Sequence, residues 1–198
     1  VTDKIVGFSS PIQIANFDNN TSYESHPVYV SDSLLNSLSE RKYVKHAEVF
    51  SSKPGIIKTD EDFQGIVLKW VDKNYVWILF KNNLVEGNIL NVSDSTTQNE
   101  VIISKNIADK LNLKLGDSFI TYFIQDPIKT RKFLITGIYS THYNDYDKLF
   151  VITNTEVIQK INSWEQDQYS GIEVYLDDFD KIEEVMPDLS FEMFTYQD

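Results

Sequence analysis

Apolar positions recur along this chain with two different periods, and the switches between them mark out its elements. Ile5-Val6-Gly7-Phe8 is a first apolar signal, and Ile12, Ile14 and Phe17 then alternate with polar neighbours as in a half-buried strand. Asp18 to Ser25 is polar and Asn-rich, a loop. Ser31-Asp32-Ser33 supplies N-cap side chains, and Leu34, Leu35 and Leu38 form one helical stripe behind them. Val44 to Ile57 reads as strand, broken at Ser51-Ser52-Lys53-Pro54-Gly55 by a turn or bulge. Phe63 to Val71 is a second strand, rich in β-branched and aromatic residues.

After Leu84-Val85-Glu86-Gly87 the texture changes. Asn99 to Ile103 is a short strand, and Ser104 caps a helix with Ile107, Ala108 and Leu111 on its apolar side. Gly116-Asp117 turns the chain into the strand Ser118 to Gln125. Asp126-Pro127 is a turn signal and Lys129 to Tyr139 a return strand, so 118–139 is expected to be a hairpin. Leu149 to Ile152 is another strand. Thr153-x-x-Glu156 matches a capping box, with Val157, Ile158 and Ile161 behind it. Tyr169 to Leu176 is a strand. Asp178 caps a helix through Phe179, Ile182 and Val185, which Pro187 stops, and Phe191 to Tyr196 closes the chain as a strand. Strands and short helices mixed in this way predict an α+β fold with a mostly antiparallel sheet. Segments 1–86 and 153–198 carry β-α-β patterns and are expected to pack as one discontinuous unit, with 87–152 as an inserted small module.

Composition narrows the function. The chain has 198 residues, enough for one large or two small domains. Its 30 acidic against 18 basic residues give a net charge of −12, which repels phosphate backbones and sets nucleic acid aside as a partner. Zero cysteines exclude a disulfide framework, a thiol nucleophile and Cys-ligated zinc. The longest apolar run, Tyr75 to Phe80, is far short of the roughly 18 residues of a membrane span. The opening Val1-Thr2-Asp3-Lys4 is no signal peptide, and the lack of an initiator Met predicts a piece trimmed from a longer protein.

The candidate chemistry is thin. His26, His46 and His142 sit in different segments with no partner at metal spacing, so no metal is expected. Asp60-Glu61-Asp62 and Asp177-Asp178 with Asp180 are acidic runs that could in principle do acid–base work. The first falls where an exposed turn is expected and the second where acids favour a helix start, and neither has an EF-hand pattern. Ser51-Ser52 lacks a nucleophile elbow, and no phosphate-binding glycine motif occurs. Asn19, Asn20 and Asn91 fit the glycosylation sequon. Trp70, Tyr75, Trp77 and Phe80 read as core, with a binding surface as the other reading. By elimination a binding or structural module outweighs an enzyme; no catalytic residue and no cofactor is assigned.

A family resemblance sharpens this. Asn99 to Asp117 (NEVIISKNIADKLNLKLGD) is similar to a pattern found in the extracytoplasmic domains of FtsX-like ABC permeases, the LolC/LolE and MacB group. Lys132 to Ser140, Asp145-Tyr146-Asp147 with Phe150-Val151, Ser170-Gly171-Ile172-Glu173-Val174, Gly65 to Leu68 and Leu84 to Leu90 resemble further steps of that family, in order, over roughly residues 60–185. The resemblance implies a Porter-like β-α-β domain (1–86 and 153–198) interrupted by a Sabre-like module (87–152). It implies an extracytoplasmic, periplasmic domain of an inner-membrane permease that couples ATP-driven motion to release of a substrate, nearest to the lipoprotein-releasing LolC/LolE group. The implied partners are a separate ABC ATPase, a second permease subunit and a lipoprotein cargo or carrier. A MacB-like efflux permease and a secreted or surface ligand-binding domain are the alternatives. One departure stands out. Where the LolC type extends a hairpin into a proline-containing hook, Gln125-Asp126-Pro127-Ile128-Lys129 turns tightly, so carrier capture through a hook is not expected here.

Overall fold

β-branched and aromatic residues dominate the chain, and the structure is correspondingly rich in strand. It is a computed structural model that describes residues 12–16, 24, 26–70, 82–90, 99–178 and 182–187. The strands are β1 (Ile12–Ala15), β2 (Val28–Tyr29), β3 (Val44–Lys58), β4 (Phe63–Trp70), β5 (Leu84–Gly87), β6 (Glu100–Ser104), β7 (Ser118–Phe123), β8 (Lys129–Tyr139), β9 (Phe150–Ile152), β10 (Gln168–Tyr169) and β11 (Gly171–Leu176). The helices are α1 (Asp32–Ser39), α2 (Lys105–Leu111), α3 (Asn144–Asp147) and α4 (Thr155–Asn162), and residues 182–187 are also helical. The fold is α+β and sheet-dominated.

Strand β3 organises the molecule because it belongs to two pairing systems. Its first half, Val44–Phe50, pairs antiparallel with β11, whose other edge carries β1. Its second half, Ser51–Lys58, pairs with β4, and Ile56–Lys58 also pair with β7. From β4 the ladder continues to β9, β6, β8 and β7, and β7 returns to β3. Six strands therefore close a ring, with β4–β9 and β6–β8 as its parallel steps. Closure removes the free edges that an open sheet would expose.

The expected break in β3 does not occur: the strand runs straight through Pro54-Gly55. The pairing shows why. On one side, β11 reaches only to Phe50 and β7 begins only at Ile56, so Pro54 pairs with β4 alone. A proline's missing N–H is tolerated where one edge of a strand is unpaired. Gly55 has a packing reason, since a Cβ there would lie 2.8 Å from Thr121 Cγ2 and 3.0 Å from the Phe123 ring. Gly87, where the texture of the sequence changes, has φ +81° and ends β5, a backbone conformation that glycine adopts without penalty.

Alternation along the strands sends side chains to two cores. Val101 and Ile103 of β6, with Val151 of β9, join the main cluster that includes Ile57, Leu68, Phe123 and Phe133. The intervening Ile102 and Ile152 face a second cluster with Leu90, Tyr139 and Tyr146. Such strands are buried on both faces, and fully burying one of these side chains contributes about 1.5–3 kcal/mol. Helices α1 and α4 lie against β3, and α2 packs near β6 and α3. Ser31 caps α1 by accepting from Leu34 N at 3.2 Å, and Ser104 caps α2 by accepting from Ile107 N at 3.1 Å, both as the sequence predicts.

The capping box at Thr153 is corrected. Helix α4 begins at Thr155, and its N-cap is Asn154, which accepts from Glu156 N at 3.2 Å. The predicted strand at 169–176 is interrupted at Ser170, so β10 pairs with β2 while β11 enters the large sheet. The strand expected at Phe191 to Tyr196 and the apolar signal at Ile5 to Phe8 lie outside the described residues.

Candidate functional site

The candidate catalytic groups do not converge. His26 and His142 are exposed, and His46 is half-buried on β3 with Nε2 3.2 Å from Glu48 Oε2. Among the described residues, no three His, Asp or Glu side chains gather as a metal site. Asp60, Glu61 and Asp62 occupy the exposed β3–β4 turn, as predicted, where Asp62 Oδ1 accepts from Phe63 N at 2.7 Å. Asp177 and Asp178 are exposed; Asp180 lies outside the described residues, as do Asn19, Asn20, Asn91, Tyr75, Trp77 and Phe80. Trp70 is core, stacked on Tyr169 with ring centroids 6.3 Å apart. Ser51 is fully buried mid-strand, a position with no path for a substrate, and Ser52 is buried beside it, its N–H donating to Ser170 Oγ at 3.0 Å.

Of the charged groups that burial does select, Lys69 is not singled out by the sequence and Glu173 stands only within the Ser170 to Val174 motif. Lys69 lies within the apolar run of β4, and its Nζ is 3.1 Å from Oε1 of Glu173 on β11. The same oxygen accepts from Gln13 Nε2 at 3.0 Å, and Tyr175 OH donates to Oε2 at 3.2 Å. Glu48 sits directly across the ladder from Glu173. Burial by itself would lower the Lys69 pKa, but the attraction of Glu173, helped by Tyr146 and Glu48, outweighs it and the net shift is upward. Burial pushes the Tyr146 phenol up to about 12, against a smaller opposing pull from Lys69. Burial, with the neighbouring Glu173 and Glu48, also raises Tyr175. This buried ionic network ties β1, β11 and β4 together across β3. A lone lysine inside Ile66-Val67-Leu68-Lys69-Trp70 was the signal for it, because lysine is almost never buried unless paired.

The residues that carry the family resemblance have structural tasks of the same kind. The Asp147 carboxylate accepts from Thr141 Oγ1 at 2.7 Å and from Thr141 N at 3.2 Å, and so fixes the turn between β8 and α3. Ser104, besides capping α2, donates to the Asp147 carbonyl. Asp117 Oδ2 accepts from Lys114 N at 2.8 Å, closing the turn into β7. A polar hollow of about 570 Å³ borders Lys105, Asn106, Asp109, Lys110, Ser140 and Asp147. Its lysines are engaged, with Lys105 Nζ 3.3 Å from Asp109 Oδ1 and Lys110 Nζ 2.6 Å from Oε1 of Gln64 on β4.

A feature open to a partner runs between the β3–β4 turn and the β7–β8 tip. Between them Ile56–Lys58 pair antiparallel with Ile120–Tyr122, so the two turns lie towards opposite ends of that pairing. Together they line a groove of about 600 Å³. Its apolar wall is Ile56, Phe63, Tyr122, Ile124 and Ile128, and its polar rim is Lys58, Thr59, Asp60, Glu61 and Asp62. Phe63, Ile124 and Ile128 are 68%, 66% and 63% exposed. In the sequence only Ile128 marks the hairpin tip as apolar, and in the structure Phe63 of β4 lines the same groove.

Comparison with known proteins places these observations in a family. Residues 6–190 match the MacB-like periplasmic core domain. The extracellular domain of the noncanonic ABC-type transporter YknZ from Gram-positive bacteria has a similar fold, with a TM-score of 0.56, 17% identity and 87% of both chains covered. The periplasmic region of MacB from Actinobacillus actinomycetemcomitans gives a TM-score of 0.54 at 17% identity, covering 84% of this chain and 74% of that one. The lipoprotein-releasing system transmembrane protein LolC of Xylella fastidiosa is 29% identical over 97 residues, which are 46% of this chain and 23% of that protein. The match thus spans about a quarter of LolC's length. With the family match covering nearly the whole chain and the fold agreeing, this chain belongs to the MacB-like periplasmic core domain family.

Proposed function

We propose that this chain is the extracytoplasmic part of an inner-membrane permease subunit that converts ATP-driven motion of transmembrane helices into release of a substrate, with a lipoprotein as the cargo. ATP is hydrolysed on a separate ABC subunit, a second permease subunit completes the transporter, and no covalent chemistry belongs to this chain. The observation that carries the reading is the family match over residues 6–190, with the LolC similarity favouring a lipidated cargo. The proposed architecture is a Porter-like part, 1–86 with 153–198, and a Sabre-like part, 87–152. On this division the first part contributes β3 and β4 to the ring, and the second contributes the other four strands.

A mechanical domain must transmit force without coming apart. The continuous ring and the ionic tie between Lys69 and Glu173 suit that task. Likeness to the MacB periplasmic region over 84% of the chain favours a second reading, an efflux permease with an unlipidated cargo. The test replaces this domain with a flexible Gly-Ser linker in the full-length permease, assembled with its ATPase in vesicles. Release of an added lipoprotein is expected to stop while ATP hydrolysis stays measurable. Undiminished release would overturn the reading, and release of an unlipidated substrate only would favour efflux.

A further inference from the structure

We propose that the groove between the β3–β4 turn and the β7–β8 tip docks a protein segment that presents an apolar side chain flanked by lysines or arginines. The argument begins with exposure. Phe63, Ile124 and Ile128 are each more than 60% exposed and wall one groove, whereas large exposed apolar residues on a soluble surface are ordinarily scattered singly. The groove's size is in the range that takes one or two anchoring side chains, and binding energy concentrates on such desolvated anchors.

Charge decides the occupant. The rim carries Asp60, Glu61 and Asp62 against the single Lys58, and among the described residues none of the three acids makes an ion pair. An acidic rim draws a cationic partner and speeds its encounter. The same rim repels an anionic lipid surface. It equally repels a second copy of this chain, whose net charge is −12. Phe63 and Ile128 are 65 residues apart in sequence and line the same groove.

The inference stands apart from the transport reading, because its test measures binding without transport. Two fluorescein-labelled peptides on one scaffold serve as probes, one with Leu-Phe between paired lysines and one with glutamates in their place. Anisotropy at low salt is expected to show saturable binding of the lysine peptide, at least tenfold tighter than the glutamate peptide. Phe63→Ser with Ile128→Ser is expected to weaken it at least tenfold, with circular dichroism unchanged because both side chains are exposed. Asp60→Asn, Glu61→Gln and Asp62→Asn together are expected to weaken it and flatten its salt dependence. Equal binding of the two peptides, no saturable binding, or indifference to the apolar pair would each overturn the proposal. So would vesicle binding or self-association, seen by sedimentation, that disappears with Phe63→Ser.

Discussion

At the scale of single residues, the most consequential choice in this chain is a lysine in an apolar strand. Lys69 is buried, and its charge is balanced by Glu173, which is itself fully buried and held by Gln13 and Tyr175. Removing one partner of such a pair leaves an uncompensated charge in a medium that solvates it poorly. Lys69→Met is therefore expected to cost about 3–5 kcal/mol in urea unfolding. Adding Glu173→Gln to it should recover a substantial share of that loss, because the stranded charge is gone. Additive losses in the double variant would show that the two side chains act independently.

At the scale of elements, α4 shows how a cap is chosen when two candidates are adjacent. Thr153 and Asn154 both precede the apolar stripe, and the sequence pattern Thr153-x-x-Glu156 favours the first. Tertiary packing selects the second: Thr153 N donates to Lys69 O, continuing the β9 edge alongside β4, and so the threonine is drawn into the sheet. Its Oγ1 is buried with no hydrogen-bond partner among the described residues. Asn154→Ala is then expected to cost about 1 kcal/mol. Thr153→Val, which removes an unsatisfied hydroxyl at constant shape, should be neutral or stabilising. Thermal unfolding of the two variants decides between the caps, and the reverse order of stability would restore Thr153.

At the scale of the whole molecule, burial of phenols and a lysine predicts how stability responds to alkali. Tyr146 titrates at 10.0 when unfolded and is pushed up to about 12 when folded. A raised pKa means that the contribution is fully present below pH 10 and is lost as pH rises towards 12, since the unfolded chain ionises first. Lys69, also raised, acts in the same direction above its unfolded value of 10.5. Tyr139, raised well above 10 by its burial and by the neighbouring Tyr146 and Asp147, adds to the trend. Urea midpoints are expected to fall steeply between pH 10 and 12, with Tyr146 alone contributing about 2–3 kcal/mol. Tyr146→Phe should make the fall shallower, and an unchanged slope would count against burial of that phenol.

Local patterning determined much of this protein. Period-two alternation located β1, β-branched and aromatic content located β4, and side-chain oxygens at Ser31 and Ser104 located two helix starts, because those signals act over a few residues. The order of weak motifs from Gly65 to Glu173 was enough to indicate the family, since each records a local demand such as the Asp117 turn or the Ser104 cap. What the sequence left open depends on contacts between distant segments. Pro54-Gly55 looked like a break because its local signal is that of a turn, and only the gap between β11 and β7 lets the strand continue. Lys69 and Glu173 are 104 residues apart, and cross-strand order brings them to 3.1 Å. The groove is likewise invisible until β3 meets β7, because its lining comes from both sides of that pairing. Propensity and capping are settled by neighbours along the chain, whereas ring closure, buried charge pairing and the shape of a surface are settled by which strands lie side by side.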